Sequence, residues 1–398
     1  MLKVVRFGFI LLLAGLVLIP AGLKGQGQRS YDPSELGGGD LNAIKTAVPF
    51  IGIAPDSRAG AMGDLGVATA PDINSQHWNI GKYAFIEGDG GVAISYTPWL
   101  RNLIPDINLA YLAGYYRLDD KQTISGSLRY FSLGNITFTD LSGTITGQYN
   151  PNEFALDAGY SRLLGDNLSM GIAFRYIRSD LTAGQNTADG QETQPGNSFA
   201  ADLGLYYENE INVGTSDGEW AFGAAFTNMG TPIGYTADAD KTPIPTNLTL
   251  GGRFTYNIDQ YNSITAAVDL QKLMVPTPPI YDDSILQETG DLVVLYGRES
   301  NSLVGGMFQS FYDAPAGFKE EMHEIAYSAG VEYWYREQFA IRAGFFNEHS
   351  TKGNRKYFTV GIGLQLNVFA LDFAYLVPTN GQNSPLANTL RFTLGFNL

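Results

Sequence analysis

The sequence predicts an all-β chain: a transmembrane antiparallel β-barrel of about 14 strands, with an N-terminal plug, or hatch, in its lumen. Three observations lead there. Segments with apolar residues at every second position recur from Gly91 to the last residue. Beyond the N-terminal run Phe7 to Pro20, no apolar stretch approaches the roughly 20 residues a membrane helix needs. The connections between segments also alternate between short and long, as the two rims of an outer-membrane barrel do.

Composition agrees with this class. Of 398 residues, 44% are hydrophobic and 13% aromatic, there are 47 Gly, and mean hydropathy lies near zero. Membrane helices would raise that mean, whereas barrel strands dilute apolar residues one to one with polar ones. The absence of Cys excludes a disulfide framework, thiolate metal sites and a lipoprotein anchor. A formal charge of −15 argues against a nucleic-acid partner.

The N-terminus reads as an address. Lys3 and Arg6 precede the apolar run, and small residues follow at Ala21, Gly22, Gly25 and Gly27, the order of a secretory signal peptide over 1–27. Cleavage is expected after Gly27 or after Gly25. Residues 28–90 show no sustained alternation and are rich in Gly, Pro and Asp, so they are expected to lie outside the wall as the N-terminal segment and plug, with the barrel over 91–398.

The wall segments follow in order. Val92, Ile94 and Tyr96 share a face; then come Ile107, Leu109, Tyr111, Ala113 and Tyr115, with Asn108 and Gly114 opposite. Equivalent stripes run through Leu128, Leu156, Ile172, Leu203, Phe222, Leu250 and Val268, and after a long gap through Val331, Ile341, Ile362 and Phe373. Opposite these stripes stand Asp157, Arg175, Asp202, Arg253, Asp269, Arg342 and Asp372, beside small residues, as lumen-facing positions require. The last stripe, Leu390, Phe392, Leu394, Phe396 and Leu398, is expected to close the barrel, to face lipid and to carry the outer-membrane assembly signal. A soluble sandwich explains the alternation equally well but has no reason to sort its loops by parity.

Short connections are read at Asp119-Asp120, Leu163 to Asn167, Glu210 to Gly218, Asn257 to Tyr261, Arg336-Glu337 and Asn367-Val368. Long ones run from Leu133 to Pro151, Asp180 to Asn197, Gly230 to Pro245, Leu273 to about His323, His349 to Arg355 and Pro378 to Asn388, the odd connection Leu100 to Pro105 being short. Long loops are expected outside the cell and short turns in the periplasm. Aromatics near segment ends, such as Tyr96, Trp99, Trp334 and Tyr335, match interfacial girdles.

The run Ala54-Pro55-Asp56-Ser57-Arg58-Ala59-Gly60-Ala61-Met62-Gly63-Asp64-Leu65-Gly66-Val67-Ala68-Thr69-Ala70, followed by Trp78-Asn79, resembles the plug sequence of FadL-like fourteen-stranded barrels. It departs from that pattern at Ile80-Gly81, where those proteins carry Pro-Ala. Ser95-Tyr96-Thr97-Pro98-Trp99-Leu100-Arg101, Ser127-Leu128-Arg129-Tyr130-Phe131-Ser132-Leu133-Gly134 and Phe174-Arg175-Tyr176-Ile177-Arg178-Ser179-Asp180-Leu181 are similar to the PorV (LptO) family of the type IX secretion system of Bacteroidetes. The resemblance implies a non-enzymatic outer-membrane protein without cofactor. Its implied partners are the translocon barrel, secreted cargo with a C-terminal secretion domain, the surface attachment complex and outer-membrane lipid. The alternative is a FadL-like transporter of hydrophobic small molecules.

Residue chemistry points the same way. Gly60, Gly63 and Gly66 are not followed by the Lys-Ser/Thr of a phosphate loop; they read as plug residues packing tightly in a lumen, where Asp56, Arg58 and Asp64 find partners among inward charges. His77, His323 and His349 have no metal-ligand spacing. Tyr327-Ser328-Ala329-Gly330 lacks the leading Gly of a nucleophile elbow. Asp282-Asp283 and Glu320-Glu321 read as a solvated acidic face before a cation site. Trp99, Leu100, Leu103 and Ile104 on the short loop are expected to dock a partner. Met274, Val275, Phe308, Phe311, Tyr312 and Phe318 on the long loop form either its own small core or a docking surface.

Overall fold

The structure, a computed structural model, describes residues 42–101, 104, 106–139, 144–182, 184, 191–214, 216–236, 241–286, 292–296, 302–379, 386 and 389–398. The expected signal peptide and Leu103 lie outside the described residues.

Among the described residues eighteen strands are formed: β1 (Gly90–Pro98), β2 (Asn108–Asp119), β3 (Gln122–Ser132), β4 (Ile136–Thr139), β5 (Ile145–Tyr149), β6 (Asn152–Leu163), β7 (Leu168–Asp180), β8 (Gly196–Val213) and β9 (Ser216–Gly230), then β10 (Asn247–Asp259), β11 (Asn262–Leu273), β12 (Ile280–Leu286), β13 (Leu292–Tyr296), β14 (Ile325–Tyr335), β15 (Phe339–Asn347), β16 (Lys356–Leu366), β17 (Phe369–Pro378) and β18 (Leu390–Asn397). Fourteen of them close an antiparallel barrel, leaving β4–β5 and β12–β13 as separate two-stranded hairpins in loops. The seam is the β1–β18 ladder, running from Gly91 opposite Asn397 to Tyr96 opposite Phe392. The closing role expected of the last stripe is therefore met, and no backbone edge remains in the wall.

Because consecutive strands reverse direction, the six tight turns share one rim and the longer connections share the other. At the Arg336-Glu337 turn both residues take positive φ, 54° and 55°, the two-residue geometry that matches strand twist. β8 and β9 run past the expected turn at Glu210 to Gly218 and pair as far as Val213 with Ser216.

Side chains alternate as expected on thirteen of the fourteen wall strands. Val92, Ile94 and Tyr96 face outward, and Arg391 and Thr393 face inward between the outward Phe392, Leu394 and Phe396. Strand β2 is the exception: Ile107, Leu109, Tyr111, Ala113 and Tyr115 are buried in the lumen, whereas Leu112, Tyr116 and Leu118 are exposed on the outside. The register opposes Ala113 to the inward Ala93, which fixes this facing. Both faces of β2 are apolar because the plug supplies an apolar partner inside. Val48, Phe50 and Ile51 pack with Ile107 and Leu109, and Ile73 and Tyr83 pack with Tyr115. Alternation separates two faces; it does not say which meets lipid when both are apolar.

Candidate functional site

The lumen is occupied by the largely buried residues 47–86, held by short helical turns. α1 (Ser57–Ala61) starts at Asp56, whose Oδ2 accepts from Ala59 N at 2.9 Å. The other carboxylate oxygen accepts from Trp78 Nε1 at 2.7 Å, joining α1 to α2 (Ser75–Trp78). Asp56 therefore binds within the plug, not to the wall charges the sequence suggested. Asn79 ties plug to wall: its Nδ2 donates to Val67 O and to Leu205 O, both at 2.9 Å, and its Oδ1 caps the 3-10 turn Ile80–Phe85 at Gly81 N.

Arg58 and Asp64 do meet wall charges. Arg58 forms a two-pronged contact with Glu332, Nη2 to Oε1 at 2.9 Å and Nε to Oε2 at 3.1 Å, and reaches Asp72 at 3.1 Å. Glu332 also takes Arg342 Nε at 2.6 Å, and Arg342 Nη1 lies 2.5 Å from Asp372. On the other side of the plug, Asp64 pairs with Arg391 and accepts from the Tyr357 hydroxyl. Gly63 and Asp64 turn the chain with φ of 83° and 57°. Gly63 N donates to Thr359 Oγ1 at 2.8 Å, and the buried Met62 packs with Leu65 and Ala267. A Cβ at Gly60 would collide with the Arg391 side chain, and one at Gly344 of the wall with the Met62–Gly63 peptide. Small residues thus let plug and wall backbones meet closely.

Lys82 and Glu332 escaped the sequence reading, as did the plug partners of the inward Asp269. Lys82 is fully buried and donates to Gly66 O at 3.0 Å and Thr69 Oγ1 at 2.9 Å. Asp269 Oδ2 accepts from Gly66 N and Val67 N. Glu332 lies in the inward register between Val331 and Tyr333, so alternation could have marked it.

Two cavities flank the plug. One, of about 510 Å³, lies at the short-turn end and includes Arg58, Asp72, Glu87, Glu208, Glu219 and Asp372 in its wall. The other, of about 300 Å³, lies toward the long-loop end and includes Asp64, Asp269, Glu324, Lys352 and Arg355.

At the long-loop rim, the connection after β11 carries α3 (Leu303–Gln309) and α4 (Phe318–His323). Its inner side is a small core: Met274, Val275 and Ala314 are buried. Lys272 Nζ reaches Glu324 at 2.6 Å and Glu321 at 3.2 Å, and Lys352 Nζ reaches Glu320 at 2.6 Å and Glu324 at 3.0 Å. Asp313 accepts from Thr277 N, and burial together with the neighbouring Glu321 and Glu324 carboxylates pushes its carboxyl up to about 7. The outer side is apolar and open: Phe308, Phe311, Tyr312 and Phe318 are 67, 45, 56 and 73% exposed. The loop therefore has both features weighed for it, a core beneath and an uncovered apolar face above. On the short loop Trp99 packs partly buried against the Phe50 cluster, Leu100 takes a φ of 51° and is half-buried, and Ile104 is exposed. Trp99 is thus half-buried, one side of it packed against the plug's cluster around Phe50.

His77 Nδ1 meets Arg129 Nη2 at 2.7 Å, and the His323 and His349 rings stack at 3.5 Å. Among the described residues no group of three or more His, Cys, Asp or Glu is placed to hold a metal ion.

The chain is similar in structure to the toluene transporter TodX of P. putida, at TM-score 0.47 and 11% identity over 90% of this chain and 99% of that one. It is also similar to the toluene transporter TbuX of Ralstonia pickettii (TM-score 0.45, 11% identity, 85% and 97% covered) and to a FadL homologue of Pseudomonas aeruginosa (TM-score 0.40, 10% identity, 87% and 99% covered). No curated protein matches the sequence. Residues 38–280 match the family model described as type IX secretion system protein PorV. With more than half of its length matched, and with the closed, plugged barrel its sequence predicted, the chain belongs to the PorV family of type IX secretion system proteins.

Proposed function

We propose that this chain is a non-enzymatic docking component of the type IX system in the outer membrane, its long loops outside the cell. It accepts cargo carrying a C-terminal secretion domain from the translocon barrel and delivers it to the cell-surface attachment complex. The observation carrying this reading, beside the family, is the uncovered apolar face of the long loop at Phe308, Phe311, Tyr312 and Phe318. The plug fills the lumen with buried ion pairs, which favours cargo exchange on the rim over passage through the pore.

The alternative, uptake of hydrophobic small molecules, asks for an apolar lumen pocket. Both cavities include carboxylates and guanidiniums in their walls, and an acyl or aromatic ligand there would strip water from charges without replacing it. Deletion of the gene separates the two: retention of secreted cargo in the envelope supports the secretion role, and loss of hydrophobic-substrate uptake with normal secretion supports the transporter. Within the secretion role, the variant Phe308→Ser/Phe318→Ser is expected to assemble normally and to co-purify poorly with translocon or cargo. Unchanged co-purification of both partners rejects the long loop as the docking surface.

A further inference from the structure

We propose that the cavity at the short-turn rim is a binding site for an extended organic cation bearing ammonium or guanidinium groups. This inference is independent of the secretion role, because it concerns the opposite end of the barrel from the long loop.

The charge pattern of the wall carries the argument. Arg58 and Arg342 in the cavity wall are already shared among Glu332, Asp72 and Asp372. The single Nη2 of Arg253 serves both Glu208 and Glu219. Glu87 is exposed at the mouth and takes part in no salt bridge among the described residues. In the cavity wall itself five carboxylates, Asp72, Glu87, Glu208, Glu219 and Asp372, thus stand beside two guanidiniums, Arg58 and Arg342. The Glu208 and Glu219 side chains are still 22 and 30% exposed where they line the cavity.

Two other features select the same chemistry. Asn74 lines the cavity, is only 6% exposed, and its Oδ1 has no hydrogen-bond partner among the described residues. An amide oxygen can only accept, so the missing partner is a donor. Phe85 and Tyr115 add aromatic surface to the same wall, favourable to a cation, and Trp334 beside them already carries the Arg342 guanidinium 5.3 Å from its ring centroid. A volume of about 510 Å³ suits a flexible molecule with several charged groups, far more than a bare ion needs. Free polyamines and Lys- or Arg-bearing peptide segments share this chemistry.

Titration of the purified full-length barrel in detergent with spermine and, separately, with tri-lysine tests the proposal by calorimetry and by the fluorescence of Trp334. Saturable binding is expected, weakening about tenfold or more as salt rises from about 0.05 M to about 0.5 M. The double variant Glu87→Gln/Glu219→Gln is expected to lose about tenfold in affinity, because about 1.4 kcal/mol corresponds to that factor. Glu208 remains in it to hold Arg253, and heat-modifiable migration on gels checks that the barrel is folded. Trp334→Phe should abolish the fluorescence change while calorimetric binding persists, and Glu348→Gln at the other cavity should change nothing. Binding of tri-lysine alone identifies a peptide ligand, binding of spermine alone a free polyamine, and binding of both the shared chemistry. Absence of saturable binding by either probe, or unaltered affinity in the folded double variant, overturns the proposal.

Discussion

Arg391, on the strand that closes the barrel, holds Asp64 of the plug with its Nη1 2.5 Å from Oδ1, across 327 residues of sequence. The seam and the plug are therefore locked by one ion pair, with the Arg391 side chain only 2% exposed. Replacing Asp64 with Ala leaves a buried guanidinium without its anion, a loss of about 3–5 kcal/mol. The expected result is a folded barrel with a loosened plug, cut by trypsin at Arg58 much faster than the parent. A double variant Asp64→Leu/Arg391→Leu, which removes both charges, should recover most of the protection; if the double is as labile as the single, the pair is not the lock.

A second contact depends on shape alone. Gly344 faces the Met62–Gly63 peptide so closely that any side chain there meets backbone. Gly344→Val is expected to displace the plug and raise single-channel conductance in planar bilayers, whereas Ala343→Val, on the outward face of the same strand, should leave conductance at the parent level. Equal conductance of the two variants contradicts close plug–wall packing at this point.

Much of the wall was readable because its physics is local: a strand between lipid and lumen must alternate, and the charges of Arg175 and Asp202 could only point inward. Facing failed on β2, since Leu109 and Leu112 are equally apolar and only their partners, the plug and lipid, tell them apart. The plug's sequence was recognisable, but its contacts were not. That Arg58 would choose Glu332, 274 residues away, depends on closure of the whole ring. The packing of Trp99 was hidden for the same reason, because its cluster around Phe50 forms only when the plug sits in the lumen.

The long loop should respond to pH through Asp313. Burial and the adjacent Glu321 and Glu324 raise its folded pKa to about 7, so the folded loop holds a proton that the unfolded one has lost. The associated stabilisation is complete below the unfolded carboxyl pKa and disappears as pH rises through about 7. Hydrogen-exchange protection of residues 302–323, corrected for intrinsic rates, should be higher near about pH 5 than near about pH 8. Asp313→Asn keeps an acceptor for Thr277 N without the charge and should flatten this dependence. A parent loop equally protected at both values would rule out the raised carboxyl.

Facing on the closing strand sets the last expectation. Phe396 lies on the outer surface, 37% exposed, with its ring 5.1 Å from Phe369 of β17, while Asn397 is half-buried at the short-turn rim. An Asp at 396 places a charge on the lipid face and removes the Phe369 contact, whereas an Asp at 397 stays within reach of rim water. Lipid-face charges cost up to about 2–4 kcal/mol for Arg or Lys at mid-depth and less for Asp or near the interface, so the penalty at 396 should be on the order of 1–2 kcal/mol. Cells producing Phe396→Asp are therefore expected to show less heat-modifiable, membrane-inserted barrel than cells producing Asn397→Asp at equal expression. Leu394→Asp, 37% exposed on the same face but farther from the rim, should assemble worse than either. Because Thr393 faces Ser57 of the plug across a 2.9 Å bond from Ser57 N, Thr393→Asp tests the opposite face. It should insert like the parent and lose plug protection instead, and insertion that fails equally at 393, 394 and 396 would show that strand formation, not facing, decides assembly.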